Sequence, residues 1–160
     1  MNDKQSLNTF CEDRLGLYKS YFKEPWLSKV CQEAKVFDAC ASVNGSPIFH
    51  IDEKGKNAKA KNILVLSLIH GDETGAGTLG RYWIERLAQL EPRNNWRIIP
   101  ILNPDGTHSK TRTNANGVDL NRNFPTQDWN EKALSYWKAE AKSSNRKFPG
   151  HRAGSEPEVN

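Results

Sequence analysis

The chain has 160 residues, 36% of them apolar and 26% charged, with a formal net charge of +4; this is long enough for one domain with a sizeable core. The positive charges are spread over both halves with no block of about five or more, which argues against a nucleic-acid-binding stripe. The longest apolar run, Ile63 to Ile69 with Ser67 inside it, is far short of the roughly 20 residues needed to cross a bilayer.

The opening "MNDKQSLNTFCEDRLGLYKS" scatters charges through its length and lacks the apolar stretch of about 7–15 residues that a secretory signal needs. Cys11, Cys31 and Cys40 are odd in number and form no C-x-x-C pair, so the sequence predicts reduced structural thiols and a cytoplasmic location. "PWLSKVCQEA" begins with a proline suited to a first helical turn, and residues 1–35 read as an N-terminal helical extension of a single 1–160 domain.

Next, "VFDACASVNGSPIFHIDEKG" sets Asn44-Gly45 between two partly alternating segments, predicting paired antiparallel strands joined by a two-residue turn. "NAKAKNILVLSLIHG" passes from polar residues into a continuous aliphatic run, the pattern of an interior strand over 63–69 covered on both faces. Leu79, Tyr82, Trp83, Leu87 and Leu90 then recur at near-helical spacing until Pro92, predicting a crossover helix. "WRIIPILNPDG" reads as the next interior strand, Ile98 to Leu102, parallel to the first. A long polar loop and a last helix near Glu131 to Lys142 complete an α/β chain with a mixed, mostly parallel sheet and flanking helices.

His70 and Asn103 would close the two parallel strands at their carboxyl ends, where open α/β sheets place ligands. His70 and Glu73 form an H-x-x-E pair; an imidazole nitrogen and a carboxylate in one tight turn can both reach a divalent ion, and that mixture suits zinc. Asp72, between them, reads as a helix cap or as an orienting partner for His70. In "NPDGTHSKTRTNANGVDLNRNFP" the turn formers hold Arg112 and Arg122 beside the same crevice, and guanidinium groups there can grip a carboxylate or stabilise an oxyanion.

"HGDE" after a strand, "NPDG", an arginine before "GVDLNRNFP", and "GSEPE" together resemble the zinc carboxypeptidase family, most closely its bacterial murein peptide amidase branch, over about residues 45–160. The resemblance implies that His70 and Glu73 are zinc ligands, that Arg112 polarises the scissile carbonyl, and that Asn121 and Arg122 bind the terminal carboxylate of a small peptide. It implies cleavage of a γ-D-glutamyl-diaminopimelate bond in murein tripeptide, in the cytoplasm, during cell-wall recycling. A second family with H-x-x-E and an arginine before "DLNR", the aspartoacylase and succinylglutamate desuccinylase group of N-acyl amino acid hydrolases, stays open, as does a binding-only role. The family's third ligand histidine and its general-base glutamate fall beyond Asn160, so the expected fold lacks its C-terminal part. His50, His108 and His151 do not match the missing ligand by position, and Glu156 and Glu158 read as structural. Taken alone, the chain is expected to bind zinc weakly and to hydrolyse nothing.

Overall fold

A computed structural model describes residues 3–23, 26–140 and 145–160, arranged in two compact units. The first unit, drawn from residues 1–38, 49–67 and 74–101, holds α1 (Asp3–Gly16), α2 (Trp26–Cys31), β3 (Asn62–Leu66), α3 (Thr74–Leu87), β4 (Asn95–Ile99) and most of β1 (Lys35–Ala41) and β2 (Pro47–Glu53). Its four strands form one mixed sheet in the order β1-β2-β4-β3. β2 pairs antiparallel to β4, with Ile51 opposite Ile98, and β3 pairs parallel to β4, with Val65 opposite Ile98. The expected β-α-β unit is therefore present, with α3 as its crossover.

Alternation divides the sheet into two faces. Phe49, Ile51 and Ile98 form a buried cluster with Cys11, Leu15, Val30, Cys31, Ile84 and Leu87, and Val36, Val65 and Trp96 pack against it. This is the helix-covered face. On the other, Leu64 and Phe37 are 59% and 48% exposed, and Arg97 lies over the Phe37 ring while bridging both oxygens of Asp52 at 2.7 and 2.9 Å.

Several expectations change here. β3 stops at Leu66 and is the edge strand of the described sheet, so the run to Ile69 is not an interior strand covered on both faces. The second strand occupies Asn95–Ile99 rather than 98–102; Ile101 and Leu102 are buried but lie outside it, beyond Pro100. α3 buries Gly77, Gly80, Ile84 and Leu87, whereas Leu79 and Leu90 are exposed, because the small residues let this side of the helix approach its neighbours closely. The thiol reading is corrected as well: Cys11 and Cys31 form a disulfide between α1 and α2, with Cα atoms 5.6 Å apart. That separation lies within the usual range for a bridge, and the pairing depends on a helix–helix contact that no sequence motif encodes. Cys40 alone is a free thiol, pushed up by burial.

The second unit, drawn from residues 39–48, 68–73 and 102–160, is loop-rich and organised by side-chain-to-backbone bonds. The connection between β1 and β2, residues 42–46, closes on three residues rather than the expected two: Ser42 N–H donates to the Ser46 carbonyl around residues 43–45, Gly45 N–H donates to the Ser42 carbonyl, and Gly45 takes the left-handed φ of +80°. Asp105 fixes that loop by accepting the Ser42 hydroxyl at 2.8 Å and the Asn44 N–H at 3.0 Å. The last helix begins as a π-helical turn, Asn130–Ser135, and continues as α5 (Tyr136–Glu140); its expected end at Lys142 lies outside the described residues.

Candidate functional site

All five residues singled out in the sequence, His70, Glu73, Arg112, Asn121 and Arg122, belong to the second unit. The segment carrying His70 leaves extended structure at Leu68, which has a φ of 47°. A leucine in the left-handed region costs on the order of 1–3 kcal/mol, so its surroundings must hold it there. Leu68 is buried, and its carbonyl accepts the Asn103 N–H at 3.0 Å.

Asn103 joins the two motif loops. Its amide nitrogen donates to the Ile69 carbonyl at 3.2 Å, while its Oδ1 caps α4 (Pro104–Ser109) by accepting the Gly106 N–H at 2.8 Å. "NPDG" is thus a helix start rather than a turn, with Pro104 in the first helical turn, where proline is tolerated. The glycines of "HGDE" and "NPDG" meet backbone to backbone: a Cβ on Gly71 would stand 2.0 Å from the Gly106 carbonyl carbon. No other residue fits there.

This framework presents His70, 7% exposed, between two carboxylates. Its Nδ1 lies 2.9 Å from Glu73 Oε1 and its Nε2 lies 3.0 Å from Asp119 Oδ1. Asp119 is fully buried and also accepts the Arg112 Nε–H at 3.1 Å and the Asn121 N–H at 3.1 Å. Arg112 Nη1 is 3.6 Å from Glu73 Oε1. The structure therefore sets Glu73 against His70 and Arg112 and holds both of these on Asp119, a residue the sequence reading did not single out. Its one local signal is an acid set between Val118 and Leu120, both buried.

Asn121 and Arg122 follow directly, in a 3-10 turn capped by the Asp119 side chain, and their own side chains are exposed. The Arg122 guanidinium donates to the Asn121 carbonyl at 3.2 Å, and the Arg122 carbonyl accepts the Trp129 indole N–H at 2.6 Å. Asp72 takes neither expected role: its Oδ2 accepts from Arg146 at 2.8 Å, and its buried Oδ1 has no partner among the described residues. Asp119 holds His70 instead.

His108 is exposed, His151 lies edge-on to Phe148, and His50, in the first unit, stacks on Phe37 with its imidazole pushed down by burial. Glu156 and Glu158 are buried and accept the Asn114 carboxamide at 2.7 and 3.1 Å, which anchors the turn leading into Asp119. Burial opposes ionisation of Glu156, but hydrogen bonds from Ser155, Asn114 and Asn116 outweigh it and hold the carboxyl below its ordinary range. At Glu158 burial prevails and pushes the carboxyl up.

The donor chemistry fits zinc in kind. One imidazole nitrogen and one carboxylate oxygen converge, and Asp119 occupies the other ring nitrogen, an arrangement that orients histidine ligands. Among the described residues no group of three His, Cys, Asp or Glu side chains is arranged to hold a metal.

Residues 26–160 match the family profile described as zinc carboxypeptidase. The chain is 36% identical over 104 residues to murein peptide amidase A of Escherichia coli (strain K12), covering 64% of this chain and 42% of that protein. It is 36% identical over 120 residues to murein peptide amidase A of Vibrio campbellii, covering 74% and 47%. The chain thus spans less than half the length of these curated relatives. Among solved structures it is similar to murein-tripeptide amidase MpaA from Escherichia coli O157, with a TM-score of 0.57 and 26% identity over 92% of this chain and 55% of the other. Thrombin activatable fibrinolysis inhibitor shares the fold, with a TM-score of 0.65 at 20% identity over 82% of this chain and 38% of the other.

Proposed function

Because the chain belongs to the zinc carboxypeptidase family, we propose that its second unit carries part of a hydrolase site that cleaves an amide bond next to a carboxylate-bearing residue in a murein peptide. The observation that carries this reading is the convergence of His70 Nδ1 and Glu73 Oε1 at 2.9 Å while Asp119 takes His70 Nε2. The relatives named murein peptide amidase A support the substrate class.

Zinc bound by His70 Nδ1 and Glu73 would supply Lewis acidity and a water of lowered pKa. The residues of this chain supply the positioning. Asp119 accepts from His70 Nε2 and so fixes the tautomer that leaves Nδ1 free to ligate. Asp119 also holds Arg112 by its Nε, which leaves the Nη groups to donate to an oxyanion formed at the scissile carbonyl. Arg122, beside Asn121, presents an exposed guanidinium suited to bidentate contact with a terminal carboxylate. We place the activity in cell-wall peptide recycling; the Cys11–Cys31 disulfide removes one argument for a reducing cytoplasm, and cell fractionation decides the compartment.

The test offers zinc-loaded protein murein tripeptide, N-acetylaspartate and succinylglutamate, reading binding by tryptophan fluorescence and released amino acids by mass spectrometry. Selective recognition of the tripeptide supports the proposal. Selective recognition of the N-acyl amino acids replaces it with the N-acyl hydrolase reading, and tripeptide binding that is indifferent to zinc reduces it to a carboxylate-binding module.

A further inference from the structure

Beside Arg122 the second unit contains a cavity of about 290 Å³ lined by Arg122, Lys132, Ala133, Tyr136, Trp137 and Lys147. Three of its six lining residues are cations and none is an acid. The walls are held by named contacts. Trp129 donates its indole N–H to the Arg122 carbonyl, tying the start of the π-helical turn Asn130–Ser135 to the arginine. Trp137 packs on Phe148 with ring centroids 4.8 Å apart, and the Phe148 carbonyl accepts the Asp119 N–H at 2.7 Å. The π-helical turn carries Lys132 and Ala133 into the lining, and such insertions recur at functional sites.

A single terminal carboxylate satisfies one guanidinium, so two further lysines in the same cavity exceed what that carboxylate requires. We infer that this cavity recognises a peptide end bearing two negative charges, the terminal carboxylate on Arg122 and a second, side-chain carboxylate on Lys132 and Lys147, with the intervening aliphatic stem against Tyr136 and Trp137. The inference rests on the reading of Arg122 as the carboxylate clamp and narrows the substrate class to peptides with an acidic terminal residue. Exposed charge pairs are individually weak, so the discrimination is moderate.

N-acetyl-Ala-Glu and N-acetyl-Ala-Gln, which differ by one carboxylate, are titrated calorimetrically into metal-free protein. The glutamate probe is expected to bind about five- to tenfold tighter. In the Lys132→Gln/Lys147→Gln double variant the preference should fall below about twofold, while Lys138→Gln, outside the lining, keeps it; circular dichroism confirms that each variant is folded. Equal affinity for the two probes, binding of neither, or a preference that survives the double variant overturns the inference. Zinc titration at His70 is measured on the same proteins, so an unsubstituted protein that shows no preference while its zinc binding is intact removes the cavity's role and leaves the proposed function standing.

Discussion

Asp119 Oδ1 lies 3.0 Å from His70 Nε2, a contact between residues 49 positions apart in the chain. A fully buried carboxylate is costly unless its lone pairs are met, and here they are met by His70, the Arg112 Nε–H and the Asn121 N–H. One side chain thus sets the positions of the candidate ligand, the candidate oxyanion donor and the start of the carboxylate clamp. Asp119→Asn keeps the shape but weakens the hold on the imidazole, and its zinc affinity should fall by about 10- to 100-fold. Competition with a chromogenic chelator measures this, and an unchanged affinity would remove Asp119 from the account.

The disulfide between Cys11 and Cys31 closes a loop of 20 residues around α1 and α2. Restricting the unfolded chain over that length contributes about 3 kcal/mol. Reduction, or the Cys11→Ser/Cys31→Ser pair, should lower the melting temperature by roughly 6–12 °C for a chain of this size. Thermal scans with and without reductant test it, with alkylation mass spectrometry counting the thiols. A melting temperature that does not respond to reductant would contradict a stabilising bridge.

The mixed sheet and its crossover helix were legible because their aliphatic runs are bounded by turn formers and because Asn44-Gly45 marks a reversal wherever the loop closes. The end of β3 was not legible, since it is set by the left-handed backbone of Leu68, a conformation that leucine does not advertise. The buried face of α3 was misread for a related reason: Gly77 and Gly80 bury that side, while Leu79 is left outside. His70, Glu73 and Arg112 could be named from short motifs. Asp119 and the Cys11–Cys31 bridge could not, because each acquires its role from a partner brought close only by folding.

Glu156 and Glu158 give opposite pH signatures. The folded-state value of Glu156 is lowered, so its contribution is present above the unfolded value near 4.3 and is lost as pH falls through the folded one. That of Glu158 is raised, so its contribution is present below about 4.3 and is lost as pH rises through the folded value. Between about pH 7 and pH 3, denaturation of Glu156→Gln should show its deficit against wild type shrinking as pH falls, whereas Glu158→Gln should lose ground against wild type over the same range. Parallel stability curves for the two variants would refute this.

On the face of the first unit's sheet opposite the helices, Leu64 is 59% exposed on β3, the edge strand among the described residues, which invites pairing between copies. Leu64→Lys should cost less than about 0.5 kcal/mol, because the side chain is already in solvent, and it should reduce self-association. Light scattering across a concentration series, alongside urea denaturation, checks both. Scattering unchanged by the lysine would place any self-association elsewhere.

In the proposed site His70, through Nδ1, and Glu73 bind one zinc ion. The stoichiometry and affinity of zinc on the chain are measured beside those of His70→Ala, Glu73→Gln, His108→Ala and His151→Ala. Two protein ligands are fewer than the three that catalytic zinc sites use, so one weakly held zinc per chain is predicted, lost in the His70 and Glu73 variants and untouched by the other two. Tight binding that persists without His70, or that disappears with His108 or His151, would contradict it.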